Sequence, residues 1–234
     1  FKKMFDGSGD YKSAQILTAG VELAKAEQYD IAIQAFDRII KTEKTRNYLE
    51  SARVGKGQAL CALQKYEEAS KVLRSALADY PSSGYTIELC RSASEAYSAI
   101  ASETEDGDAR FDLFNEAITA MKRARKFAKE PGIQTELDVG VARIFERKSA
   151  AEVTFGDPAK AEKYRNDAMA AYQTVIMFRN PNDEGVGTHV EDAYVYCLPL
   201  LLEMERWDDA LQDADRYIKD FTNGRHMLKI RQFQ

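Results

Sequence analysis

Only two histidines and three cysteines occur in this 234-residue chain, and that scarcity removes much of the chemistry a protein of this size can carry. No HExxH or CxxC pair accompanies His189 and His226, so both read as surface or capping residues and no metal site is expected. Cys61, Cys90 and Cys197 are an odd, sparse set on predicted helices, which excludes a disulfide framework and points to buried small apolar side chains. No GxSxG nucleophile elbow is present either. Prolines number five and glycines 13, few enough, beside abundant Ala, Leu, Glu, Lys and Arg, to predict an all-helical chain. The longest apolar runs, such as Cys197–Leu202, fall far short of the roughly 20 residues that span a bilayer. Positive charge is not in excess: the formal net charge of −5 lacks the basic footprint of a nucleic-acid binder. No signal peptide opens the sequence, and a start at Phe1 reads as a processed or shortened chain.

What the chain does contain is an echo of 37 residues. Gly20, Gly57 and Ser94 share that spacing, as do Leu23, Leu60 and Tyr97, and it continues as Tyr29 to Tyr66, Ala32 to Ala69 and Phe36 to Leu73. Self-similarity at this period predicts stacked units that bury their apolar faces only against neighbours. Apolar residues at helical spacing, interrupted by short turns, make each unit a helical hairpin. Residues 1–10 form a lead-in in which Ser8 or Asp10 caps the first helix, and Asp30 is placed to cap the second.

Gly57, Leu60, Tyr66, Ala69, Leu73, Ala76 and Pro81 resemble the signature of the tetratricopeptide repeat (TPR), in which small residues let two helices approach and large ones fill the groove opposite. The resemblance implies an all-α, right-handed TPR-like α-solenoid of about five hairpins. The units fall at about 11–46, 48–83, 87–131, 133–181 and 187–224, forming one superhelical domain over 11–224, with 225–234 the start of a sixth helix cut short. Units one, two and five keep the pattern. In unit three, Ala117 lies 48 residues after Ala69, an insertion of 11 over the period, and the polar run Ser102–Arg110 predicts a longer loop there. Unit four is irregular and elongated, with helices at about Ile133–Thr154 and Pro158–Phe178 joined by a turn in which Asp157 caps and Pro158 takes the first helical position. Pro199 is expected to bend the helix spanning Val190–Glu205 or break it in two.

Three further segments read as ordinary solenoid surface. The run Asp183–Thr188 lacks the lysine and the preceding strand of a phosphate-binding loop. The acidic run Glu103–Asp108 fails the register of a calcium loop. Lys122, Arg123, Arg125, Lys126 and Lys129 form a basic cluster expected on a solvated helix face.

In TPR proteins the first helices of successive repeats line a concave groove, so the resemblance places partner-binding residues at Leu17, Val21 and Ala24, then Val54, Gln58 and Cys61. Arg91, Glu95 and Ser98 follow in unit three, and Val195, Pro199 and Leu202 in unit five. The lysines and asparagines of a carboxylate clamp are absent from the matching positions, and the apolar character suits an amphipathic helix or a strand with hydrophobic anchors. The resulting expectation is a non-catalytic scaffold for a protein partner, without cofactor or metal. Linkers such as Tyr80–Ser83 and Asn180–Asp183 are similar to those of bacterial envelope TPR proteins of the outer-membrane assembly lipoprotein and Tol–Pal coordinator type. That likeness implies a periplasmic or envelope-associated location and, as one alternative, docking to an assembly complex through the outer face. The other alternative is a helical-repeat enzyme or sugar-binding domain, with Tyr164, Tyr172, Glu191 and Tyr194 converging where units four and five meet.

Overall fold

A computed structural model describes residues 9–233, with side chains from residue 12 to 232. The described residues form α-helices and one short 3₁₀ turn, in two compact units, one ending at Ile100 and the other beginning at Ala101. No described helix is long and apolar enough to cross a membrane.

The first unit holds α1 (Gly9–Lys25), α2 (Tyr29–Thr42), α3 (Arg46–Ala62), α4 (Tyr66–Asp79) and most of α5 (Thr86–Glu103). Asp10 lies inside α1 and Ser8 outside the described residues. On α2, Ala32, Ala35, Phe36 and Ile39 recur at the spacing of one helix face and are all buried. The Phe36 ring is fully buried between two glycines of neighbouring helices: a Cβ on Gly20 of α1 would stand 2.8 Å from its Cε1, and one on Gly55 of α3 would overlap its Cζ. Gly57 makes the same room for Leu73 in the next hairpin.

The hairpin turns explain why three units look regular. Glu27, Gln64 and Glu205 all have φ of 58°, each two residues before the aromatic that opens the second helix. At each turn paired backbone bonds close the first helix, as in Gln64 N to the Cys61 carbonyl and Lys65 N to that of Leu60, both 2.9 Å. This is a Schellman arrangement, in which glycine ordinarily takes the left-handed position. Gln64→Gly is therefore expected to raise the stability of the first unit by about 1 kcal/mol, measurable by urea denaturation. The helices that follow these turns start without a side-chain cap, and Asp30 sits within the first turn of α2, where its charge suits the helix dipole but does not cap it.

The second unit holds α6 (Gly107–Phe127), α7 (Pro131–Phe155), α8 (Pro158–Phe178), α9 (Gly187–Glu203), α10 (Trp207–Asp220), α11 (Met227–Ile230) and the 3₁₀ turn Arg231–Phe233. Here aspartates cap instead: Asp106 accepts from Ala109 N, and Asp157 from Ala159 N ahead of Pro158, as the sequence predicts for α8. The loop expected over Ser102–Arg110 shrinks to three residues, 104–106, because the insertion lengthens α5 and α6 instead. Arg110 makes this possible by donating Nη1 to the Thr104 and Glu105 carbonyls at 3.0 and 2.9 Å, satisfying groups past the end of α5. Pro199 does not break its helix. α9 runs on from Gly187 to Glu203, forfeiting only the ladder bond that residue 199 cannot donate.

Tyr172, Tyr194, Leu198, Leu201 and Tyr217 are fully buried in one core cluster of this unit, joined by Ile230 of α11, so the short terminal helix is packed rather than appended. The run Asp183–Thr188 is structural: Gly185, at φ 73°, lies with its backbone 3.0 Å from where a Cβ on Gly132 would stand, so both positions demand glycine. All three cysteines are buried thiols.

Candidate functional site

In the first unit the expected groove residues sort by helix turn. Val21, Gln58 and Glu95, one per first helix and separated by the 37-residue period, are all exposed. Leu17 and Arg91 flank them half-buried, whereas Val54, at the same repeat position, is 6% exposed. The next turn sinks progressively: Ala24 is half-buried, Cys61 is 4% exposed and Ser98 1%. Cys61 donates Sγ–H to the Ser92 carbonyl at 3.7 Å on α5, and burial pushes its thiol up to about 12, so it stays protonated and inert. Val54, Cys61 and Ser98 thus lie within the packing between hairpins, and the surface is a narrow ridge rather than the broad lining drawn from the sequence.

In the second unit Val195 is buried, while Leu202 and Pro199 are half-buried. Tyr172 donates to Glu146, whose carboxyl burial raises. Glu191 accepts from the Tyr217 hydroxyl at 3.1 Å and pairs with Arg225 at 3.0 Å, which pins the segment after α10. Tyr194 packs edge-on against Tyr217 at 5.5 Å. Each of these groups has an internal task, and Tyr164 stands elsewhere, on a pocket described below, so the four do not converge on one site. Both histidines approach Asp192, His189 Nδ1 at 3.9 Å and His226 Nε2 at 3.8 Å, but Arg225 Nη2 already holds that carboxylate at 2.7 Å. The basic cluster is divided as well. Arg125 pairs with Asp138 at 3.1 Å, and Asp138 also takes Arg179, leaving Lys122, Lys126 and Lys129 exposed.

A pocket of about 420 Å³, which sequence reasoning missed, opens between the start of α6, the end of α7 and the start of α8. Its floor is the pair Arg110 and Glu152, 2% and 6% exposed, 3.4 Å apart. Glu152 Oε2 also accepts from Asp157 N at 3.2 Å, and Gly156 leaves the space that this carboxylate and guanidinium occupy. Arg110 Nε is buried without an acceptor. Phe111, Phe155 and Tyr164 supply aromatic walls, while Glu105, Asp108, Asp157 and Lys160 supply polar ones. Behind the wall, Lys148 is 3% exposed, with Nζ 4.3 Å from the Phe111 ring centre, 4.4 Å from that of Tyr164 and 3.2 Å from Asn115 Oδ1. Desolvation lowers its affinity for the proton. The only sequence signals were the Gly156–Asp157–Pro158 turn and the acidic run, which belong to opposite sides of the pocket.

No protein-family model matches the sequence, and no curated protein matches it. Among solved structures the chain is similar to TTC0263, a thermophilic TPR protein of Thermus thermophilus, with a TM-score of 0.51 and 18% identity over 94% of this chain and 96% of that one. It also aligns with the TPR2AB domain of yeast Sti1 in its complex with pHSP90, with a TM-score of 0.37 and 16% identity over 96% and 98% of the two chains. The likeness to TTC0263 shows the fold: an all-α arrangement of the TPR type.

Proposed function

Taking the TPR fold as its frame, we propose that this chain is a non-catalytic scaffold that holds a peptide or helix of a partner protein on the first-helix ridge of its N-terminal unit. The observation that supports it is the exposed row Val21, Gln58 and Glu95, repeated at the 37-residue period on α1, α3 and α5. An apolar residue at one end, flanked by Leu17 and Ala24, anchors a hydrophobic side chain. Gln58, Arg91 and Glu95 offer hydrogen bonds along the remaining length. A ridge of this mixed character suits a polypeptide, whose backbone and side chains carry both kinds of group.

Peptides selected by display on the full chain test the reading. Their affinity is expected to fall at least about tenfold with Val21→Glu and with Glu95→Lys, and to be unchanged with Lys71→Glu on the exposed side of α4. All three positions are exposed, so melting temperatures should stay near that of the parent. Selected peptides that bind both ridge variants as tightly as the parent would overturn the ridge. Val54→Glu is no substitute test, because it places a charge in a buried position and reads stability instead of binding.

A further inference from the structure

We infer that the face of α10 on which Trp207 and Leu211 lie exposed beside Asp208 and Asp215 is a docking surface for a basic amphipathic helix of a partner protein. The inference comes from the repeat. Tyr29, Asp30, Ile33 and Asp37 are the first, second, fifth and ninth residues of α2, and Trp207, Asp208, Leu211 and Asp215 hold the same places on α10. On α2 this face is covered. There α3 packs along it, Lys56 of α3 meets Asp37 at 2.5 Å, and Lys65, in the turn after α3, meets Asp30 at 3.3 Å. Tyr29 and Ile33 are half-buried as a result. In the second unit α9 covers α8 in the same way. Met169, which follows Ala168 as Ile33 follows Ala32 and Leu211 follows Ala210, is 6% exposed, and Arg206 in the turn after α9 reaches its Sδ. Each covered second helix thus meets an apolar helix face and a cation from the turn beyond it.

On α10 the matching cover stops short. α11 and the 3₁₀ turn pack against this helix and bury Ile230, but Trp207 remains 61% and Leu211 45% exposed, and no described residue shields them. Charge selects the occupant. α10 carries five aspartates against Arg216 and Lys219, and Glu205 precedes it. A second copy docked face to face about a two-fold axis would set these carboxylates against themselves. A helix without charge would leave Asp208 and Asp215 facing apolar surface where the first unit supplies lysines. A helix with an apolar stripe flanked by lysine or arginine repeats the cover that α3 gives α2: apolar side chains on Trp207 and Leu211, cations on the two aspartates. An exposed tryptophan at the centre of such a face is the kind of side chain that anchors an interface.

Trp207 is the only tryptophan of the chain, so its fluorescence reports on this face directly. The probe for the full chain is a helical peptide of leucine, alanine and lysine, about 20 residues long, with leucines at i, i+3, i+4 and i+7 spacing. One comparator carries glutamate for lysine, and another scrambles the order so that the stripe is lost. The lysine peptide is expected to shift Trp207 emission to the blue and shield it from acrylamide, with a Kd of about 100 μM or below and at least about tenfold tighter than either comparator. Leu211→Ser and Asp208→Lys, both at exposed positions, are expected to weaken it about tenfold each while melting within about 4 °C of the parent. Val21→Glu should leave it unchanged, which separates this face from the N-terminal ridge. Unaltered emission, equal binding of either comparator, or binding that survives both substitutions overturns the assignment. Self-association of the chain that Leu211→Ser abolishes would give the face to a second copy, and a chain longer at its C-terminus that itself shields Trp207 would give it to that chain; either also overturns it.

Discussion

Glu152→Ala is expected to destabilise the second unit by about 3–5 kcal/mol, the cost of leaving one member of a buried ion pair without its partner. Arg110 and Glu152 sit at 2% and 6% exposure, and the carboxylate ties the start of α6 to the α7–α8 turn. It faces Arg110 of α6 at 3.4 Å, belongs to α7, and accepts from Asp157 N in the turn to α8 at 3.2 Å. Removing it strands a guanidinium that is almost wholly shielded from water and unpins the turn that starts α8. Glu152→Gln separates these effects, since an amide oxygen can still accept from Asp157 N while the charge is lost, and it should fall between parent and alanine variant. The double variant Arg110→Met/Glu152→Met should recover most of the loss, because no uncompensated charge remains. Urea midpoints of the four proteins check this. A double variant less stable than Glu152→Ala would mean that the Arg110 bonds to the Thr104 and Glu105 carbonyls matter more than the charge pair.

The same pair shows where sequence reading stops. The TPR pattern marked units one, two and five because their turns share one backbone conformation at Glu27, Gln64 and Glu205. The local capping signal of Asp157–Pro158 placed the start of α8 correctly for the same reason: everything it needs lies within a few residues. The run from Ser102 to Arg110 looked like a loop because all of it except Gly107 and Ala109 is charged or carries a hydroxyl. Its actual helical ends depend on Arg110 reaching back to two carbonyls while a carboxylate 42 positions later neutralises it. No local pattern carries that information. The groove list failed in a similar way: the 37-residue register located the right helices, but only packing against the next hairpin decides that Gln58 stays in solvent while Val54 and Cys61 do not. The pocket was illegible altogether, its lining being drawn from residues 105 to 164 on three helices and two turns.

Phe36→Ala is expected to cost about 3–5 kcal/mol in the first unit, and the companion result at Gly55 gives that number its meaning. The Phe36 ring is fully buried, with Gly20 on one neighbouring helix and Gly55 on another meeting it. Only Gly20 and Gly57 fall on the period, so Gly55 is the position at which α3 yields space to the preceding hairpin. On propensity alone Gly55→Ala inside a helix should stabilise by about 1 kcal/mol. Here the added methyl would overlap Phe36 Cζ, and a fully buried ring has nowhere to retreat, so the expected net effect is a loss of about 1–3 kcal/mol. The sign of that single substitution separates a tight interlock from a loose contact. Phe36→Leu ends short of the ring's far carbon, and in that background Gly55→Ala should turn from destabilising to neutral or stabilising. If the alanine costs the same in both backgrounds, the glycine is serving α3 itself and not its fit to Phe36.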